Sequence, residues 1–190
     1  GGSQKAVSAP PGLSFVTISA DAYKAMHSRK TPVASFYANI LAFDGYYEKK
    51  WFPYTMPISD IYGLRQAFDN IKNDPYMLER HAKIGNAVRE AVKEAGLELY
   101  QETGFSNTVT VFNVPEGTTD TAMKEKCNIM LAGSFGAFAG KVIRIGHMGE
   151  NAYPEKVGAV MAGLDLVFKD LGITLKCSLK EAYDRKMSEQ

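Results

Sequence analysis

The sequence predicts an α/β fold, with helices laid over one face of a mostly antiparallel sheet. Two observations carry this expectation. After Gly96 the chain alternates between short β-branched runs and longer segments of helical period, the grammar of a sheet covered by helices. Residues 76–95 hold the strongest helical pattern in the chain, and Gly96 stands where a left-handed terminal residue would stop it. A third observation concerns the region before it. Residues 31–54 are dense in large aromatics and have no clear period.

In chain order, residues 1–12 are small and proline-rich, a loop that turns at Pro11-Gly12. Leu13–Ser19 is apolar with β-branched members and reads as a buried strand. Ser19 or Asp21 can cap a short helix reaching about Ser28. The aromatic stretch runs through Phe36, Tyr37, Phe43, Tyr46, Tyr47, Trp51, Phe52 and Tyr54 and turns at Asp44-Gly45. So apolar a segment is expected to lie against another domain or subunit. Pro57 and Ser59 open a helix with Ile61, Leu64, Phe68 and Ile71 at helical spacing, and Asp74-Pro75 breaks it. In the next helix Leu78, Ala82, Val88, Ala91 and Val92 fall on one side. Beyond Gly96, strands are expected at Leu97–Tyr100, Thr108–Val114 and Lys141–Gly146. Helices are expected at Thr118–Cys127, Pro154–Leu171 and Ser178–Lys186.

Composition excludes several classes. The chain of 190 residues has a formal net charge of +1 with basic and acidic residues interspersed, which gives no electrostatic case for nucleic acid or an anionic membrane. No apolar run approaches the length of a membrane span. Cys127 and Cys177 have neither metal-ligand spacing nor a CxxC partner, and His27, His81 and His147 are far apart, so no metal is expected. Two unpaired thiols suit a reducing, cytoplasmic setting.

Two residues stand out chemically. Lys5 sits among Gly1, Gly2, Ser3, Ala6 and Ser8, small neighbours that let a flat ligand approach closely. A lysine near a chain end is ordinarily solvated and inert; one that acts as a nucleophile must be deprotonated, which requires a desolvated site or nearby cations. Arg144 lies between Ile143 and Ile145, and strand alternation points it to the face opposite both. A guanidinium held on a strand can receive a carboxylate through two parallel hydrogen bonds. His147 follows it, and a local hydrogen bond is its ordinary role.

The run Gly2-Ser3-Gln4-Lys5 followed by Pro10-Pro11-Gly12, and the run Arg144-Ile145-Gly146-His147-Met148-Gly149, resemble two anchors of the class V, pyridoxal-phosphate-dependent aminotransferases of the alanine–glyoxylate or serine–pyruvate type. The resemblance implies pyridoxal 5'-phosphate as cofactor, Lys5 as the lysine joined to it, Gln4 near its phosphate, and Arg144 as the substrate-carboxylate arginine. In that family a Tyr-x-x-Thr pattern before a proline reaches the neighbouring subunit's cofactor phosphate. Here Phe52-Pro53-Tyr54-Thr55 keeps the hydroxyl at Thr55 and replaces the tyrosine with Phe52.

The resemblance covers the back half of the family's usual length. It implies the C-terminal half of a fold-type I aminotransferase: the tail of the large cofactor domain over residues 1–74, a connecting helix over 75–96, and a small α/β sandwich domain over 97–190. The aspartate that pairs with the pyridinium nitrogen has no counterpart in the chain, so the missing N-terminal half is expected to be needed for a complete site. The implied reaction moves an amino group between a small amino acid such as alanine or serine and a keto acid such as glyoxylate or pyruvate, in a homodimer. The competing expectation is a non-catalytic domain that serves as a dimerisation or interaction module.

Overall fold

The computed structural model describes residues 1–114 and 119–189. The chain forms two compact units, residues 1–69 and 70–190. Residues 75–96 lie within the second unit.

The first unit is organised locally. Its opening loop is stapled by Ser3, which is fully buried. The Ser3 hydroxyl donates to the Pro10 carbonyl at 2.6 Å, its backbone N–H donates to Leu13 O at 3.0 Å, and its carbonyl accepts from Ala9 N. One antiparallel bridge, Gly2 to Ser14, follows from this. The strand expected over Leu13–Ser19 does not form beyond that bridge. A strand needs a ladder partner, and within this unit only the first three residues pair with it. Helix α1, Ala20–His27, starts as expected, with the Ser19 hydroxyl accepting from Ala22 N at 3.2 Å. A single 3₁₀ turn, Ile40–Phe43, is capped by the Asn39 side chain. Helix α2 spans Ile58–Lys72 and buries only Ala67; Ile61 and Phe68 of its apolar stripe remain exposed.

In the second unit helix α3 covers Met77–Glu94 and buries His81, Ile84, Ala87, Val88, Ala91 and Val92. Leu78, expected on that face, is exposed because it sits in the first turn, ahead of the packed region. The helix ends as the sequence predicts: Gly96 has φ +84°, its N–H donates to Lys93 O, and Leu97 N–H donates to Val92 O. This is the Schellman arrangement, and its left-handed residue disfavours any side chain.

Strands β1, Val109–Asn113, and β2, Val142–Gly146, pair antiparallel with Thr110 opposite Ile145 and Phe112 opposite Ile143. The expected strand at Leu97–Tyr100 is reduced to a bridge from Leu99 to Phe112, and a bridge from Ala132 to Arg144 extends the other edge. Thr110, Phe112, Ile143 and Ile145 share one buried face. Helix α4 is Thr119–Cys127; the expected start at Thr118 lies outside the described residues. Helix α5, Pro154–Asp170, buries Val157, Met161, Leu164, Val167 and Phe168. Helix α6, Leu179–Glu189, adds Leu179, Ala182 and Tyr183. These residues join the α3 face and the sheet in one core. Among the described residues no helix is long and apolar enough to cross a membrane.

Asp165 ties α6 to α5. Its carboxylate accepts from Ser178 Oγ at 2.6 Å, Leu179 N at 2.7 Å and Lys180 N at 3.0 Å, so it caps the α6 N-terminus from another helix. Replacing it with alanine should leave these donors without their acceptor. The Asp165→Ala variant is expected to lose about 1–3 kcal/mol of stability, read as a lower urea midpoint with an unchanged m-value.

Candidate active site

Lys5 sits in a turn of the first unit. Ser8 N–H donates to Lys5 O at 2.9 Å, and Ser8 adopts a left-handed φ of +60°. With Ser3 stapling the loop from below, the backbone around Lys5 is held on both sides. The Lys5 and Gln4 side chains are exposed. The desolvation that a nucleophilic lysine requires is therefore not supplied by the first unit's own residues. Close quarters do exist beside it: a Cβ on Gly2 would stand 2.8 Å from Gln4 Oε1.

Thr55 is also exposed. It follows an aromatic cluster in which Tyr54 stacks on Tyr37 with ring centres 5.0 Å apart and meets Phe43 edge-on at 5.4 Å. The Tyr54 hydroxyl donates to Phe36 O at 2.8 Å. Tyr54, the tyrosine nearest to Phe52 in that run, is thus engaged within its own loop. Tyr37 is 80% exposed and Tyr47 69%, so much of this apolar surface is uncovered in the single chain.

On β2, Arg144 points away from Ile143 and Ile145, as the alternation predicts, and is exposed while both isoleucines are buried. Its backbone N–H donates to Ala132 O at 2.8 Å and its Nε–H to Gly133 O, also at 2.8 Å. Among the described residues no carboxylate pairs with it. The guanidinium is thus fixed by one edge, and its terminal nitrogens have no carboxylate partner among the described residues, an arrangement suited to a planar anion. A cleft of about 550 Å³ runs beside this strand, lined by Asn128, Met130, Arg144, Asn151, Lys156 and Val160 among others.

His147 is fully buried and locally satisfied. Its Nδ1 lies 3.1 Å from Asn107 O and its Nε2 2.8 Å from Thr110 Oγ1. A carbonyl can only accept, so Nδ1 carries the proton and Nε2 accepts from the Thr110 hydroxyl. Burial pushes its pKa down to about 4. His81 is arranged similarly, with Nδ1 2.6 Å from Met77 O and Nε2 accepting the Gly149 N–H at 2.9 Å. Beside it Arg80 makes a two-pronged contact with Asp74 and donates from Nε to Ala152 O at 2.8 Å. The Arg80 hydrogen bonds hold the Asp74 carboxyl below its usual range. Sequence reading missed the Thr110–His147 pair. The available signal was that both polar residues fall in phase with the buried residues of their strands.

The donor set fits pyridoxal phosphate in kind: a primary amine at Lys5 for an aldehyde carbon, and an amide and a hydroxyl at Gln4 and Thr55 for phosphate oxygens.

No family model matches the chain. Curated relatives do. An uncharacterised aminotransferase of Methanocaldococcus jannaschii is 37% identical over 183 residues, covering 92% of this chain and 47% of the relative. The serine–glyoxylate aminotransferase of Arabidopsis thaliana is 36% identical, over 90% of this chain and 44% of the relative. Among solved structures, ureidoglycine–glyoxylate aminotransferase from Bacillus subtilis superposes with a TM-score of 0.90 at 26% identity, over all of this chain and 51% of that one. The chain spans about half the length of the relatives it matches. By sequence and fold it is related to the aminotransferases of the alanine–glyoxylate and serine–glyoxylate type, consistent with their C-terminal half.

The buried imidazole makes stability depend on pH. In the unfolded chain a histidine binds its proton near the model value of 6.5; in the folded chain His147 does so near 4. Between these values the unfolded state holds more protons, so stability falls as pH drops from about 6.5 to about 4 and levels off below. The loss should reach about 3 kcal/mol. His147→Gln should abolish that part of the slope, measured as urea midpoints of the two proteins across the range.

Proposed function

We propose that the protein is a pyridoxal-phosphate-dependent aminotransferase acting on small amino acids and keto acids of the alanine, serine, glyoxylate and pyruvate class. The observation that carries this reading is Arg144: a guanidinium tethered at Nε, open at its other nitrogens and unpaired with any described carboxylate. Every substrate in that class presents a carboxylate, and a preset fork receives one with little loss of side-chain freedom.

When bound, the cofactor supplies an aldehyde carbon and an electron-withdrawing ring that can take up the electron pair of a substrate Cα–H bond. Lys5 would hold that aldehyde carbon through Nζ. The same Nζ, when free, would serve as the base for the substrate Cα proton. Gln4 would donate to the phosphate, and Thr55 to the cofactor phosphate of the neighbouring subunit. Arg144 would fix the substrate carboxylate and so set the direction of the Cα–H bond. A homodimer is part of the proposal, supported by the uncovered aromatic surface of residues 36–55. A cytoplasmic setting is proposed from the two free thiols.

The test uses full-length protein and separates the two residues. After incubation with pyridoxal phosphate and borohydride, a mass increase is expected on the peptide containing Lys5 and none in Lys5→Ala. Arg144→Lys should keep the adduct but lose a two-point contact, about 1.5–3 kcal/mol, or on the order of 10- to 100-fold in KM for every carboxylate substrate. An adduct on a different lysine would overturn the Lys5 role, and an unchanged KM would overturn that of Arg144. Absence of any adduct would leave the interaction-module reading as the better one.

A further inference from the structure

We propose that His147, together with Thr110, is a register lock that positions Arg144. Its importance for substrate rests on the reading above, but the lock itself can be tested without it.

Hydrophobic alternation alone does not determine how β2 lies along β1. A slip by one residue is excluded, because it would bury Arg144 and expose Ile143 and Ile145. A slip by two residues returns every side chain to its own face. It would, however, carry Arg144 away from Val111, its cross-strand neighbour, and alter its relation to Gly133 O, the acceptor for its Nε–H. Apolar burial opposes such a slip in the direction that brings Lys141 to the place of Ile143; in the other direction His147 would take the place of Ile145, and its polar contacts decide.

His147 makes contacts on three sides. Its backbone N–H donates to Thr108 O at 3.0 Å, its Nδ1–H to Asn107 O, and its Nε2 accepts from Thr110. The ring thus bridges residues 107 and 110 on the same chain segment, which one axial position satisfies. Helix α3 closes over it at Gly85, where an added Cβ would stand 3.2 Å from His147 Cε1 and 3.3 Å from Asn107 Cα. A two-residue slip moves the ring about 7 Å along the strand, out of this slot and beyond reach of at least one partner. A polar nitrogen would then be left unpaired in a dry core, the costly case for a buried donor or acceptor. Fixing register is the best-attested specificity role of a buried polar group, as in coiled coils.

The deciding variant replaces both partners with apolar residues, Thr110→Val with His147→Leu. Removing both sides of a buried polar pair can leave stability unchanged or higher, and Asn107 is exposed, so water can replace its partner. The expected result in ¹⁵N-labelled chain is a thermal midpoint no lower than that of the parent, combined with more than one set of signals for the Arg144 backbone N–H and Nε–H. The parent should give a single set. A stable double variant with one unchanged set would show that the pair contributes packing alone. If the double variant does not fold, Thr110→Val decides by itself, since it keeps the ring and the volume. A second, weaker set of Arg144 signals then supports the lock, and a single parental set overturns it. In full-length protein the double variant should raise KM for the carboxylate substrates on the order of tenfold, with kcat changed much less. Split signals without a KM change would leave the lock standing and count against Arg144 as the substrate grip.

Discussion

The structure of the second unit depends on the antiparallel pairing of β1 with β2 over helix α3. That pairing sorts residues by face. Thr110, Phe112, Ile143 and Ile145 go into the core, and Arg144 goes to the open side. Each buried side chain on the sheet therefore also determines where one cation points. The core supporting this is continuous, running from α3 through the sheet to α5 and α6, so the arginine sits on a packed element rather than a free loop. Sites on such elements hold their geometry better than sites on loops.

The two units solve burial differently. In the second, whole helix faces are covered: Ile84, Val88, Met161, Leu164 and Phe168 have no exposed surface. In the first, α1 buries nothing and α2 buries one alanine. The aromatic rings of residues 36–54 instead pack on one another, edge to face and stacked. Such pairs gain attraction beyond simple area burial, yet they leave large apolar surfaces open to water.

What could be read in the sequence was what depends on near neighbours. The helix stop at Gly96, the Ser19 cap and the direction of Arg144 each follow from a few adjacent residues, and the structure agrees with all three. Features that need distant partners could not be read that way. Leu13–Ser19 has the composition of a strand but only a three-residue partner. Leu97–Tyr100 pairs through one bridge. The clasp of Asp165 on α6, and of Arg80 on Ala152 72 residues away, leave no periodic trace. His147 lies between these cases. Its phase on the strand marks it as buried, but its partner Thr110 is 37 residues distant.

Lys5 and Arg144 show two ways of holding a functional group. Arg144 is fixed through its side chain: Nε is tied to Gly133, so the orientation of the fork is set before anything binds. Lys5 is fixed through its backbone: the buried Ser3 and the Lys5–Ser8 turn hold the main chain, while the amine itself stays exposed. The difference suits what each is proposed to do. An arginine that receives a carboxylate gains from a rigid fork, since recognition is geometric. A lysine that first holds one carbon and then moves a proton must swing its Nζ between positions, and a flexible stem on a fixed base allows that. What the loop does not provide is desolvation, on which the reactivity of an amine depends. The reading of Lys5 as a nucleophile therefore requires that, in the working protein, other surfaces close over this turn.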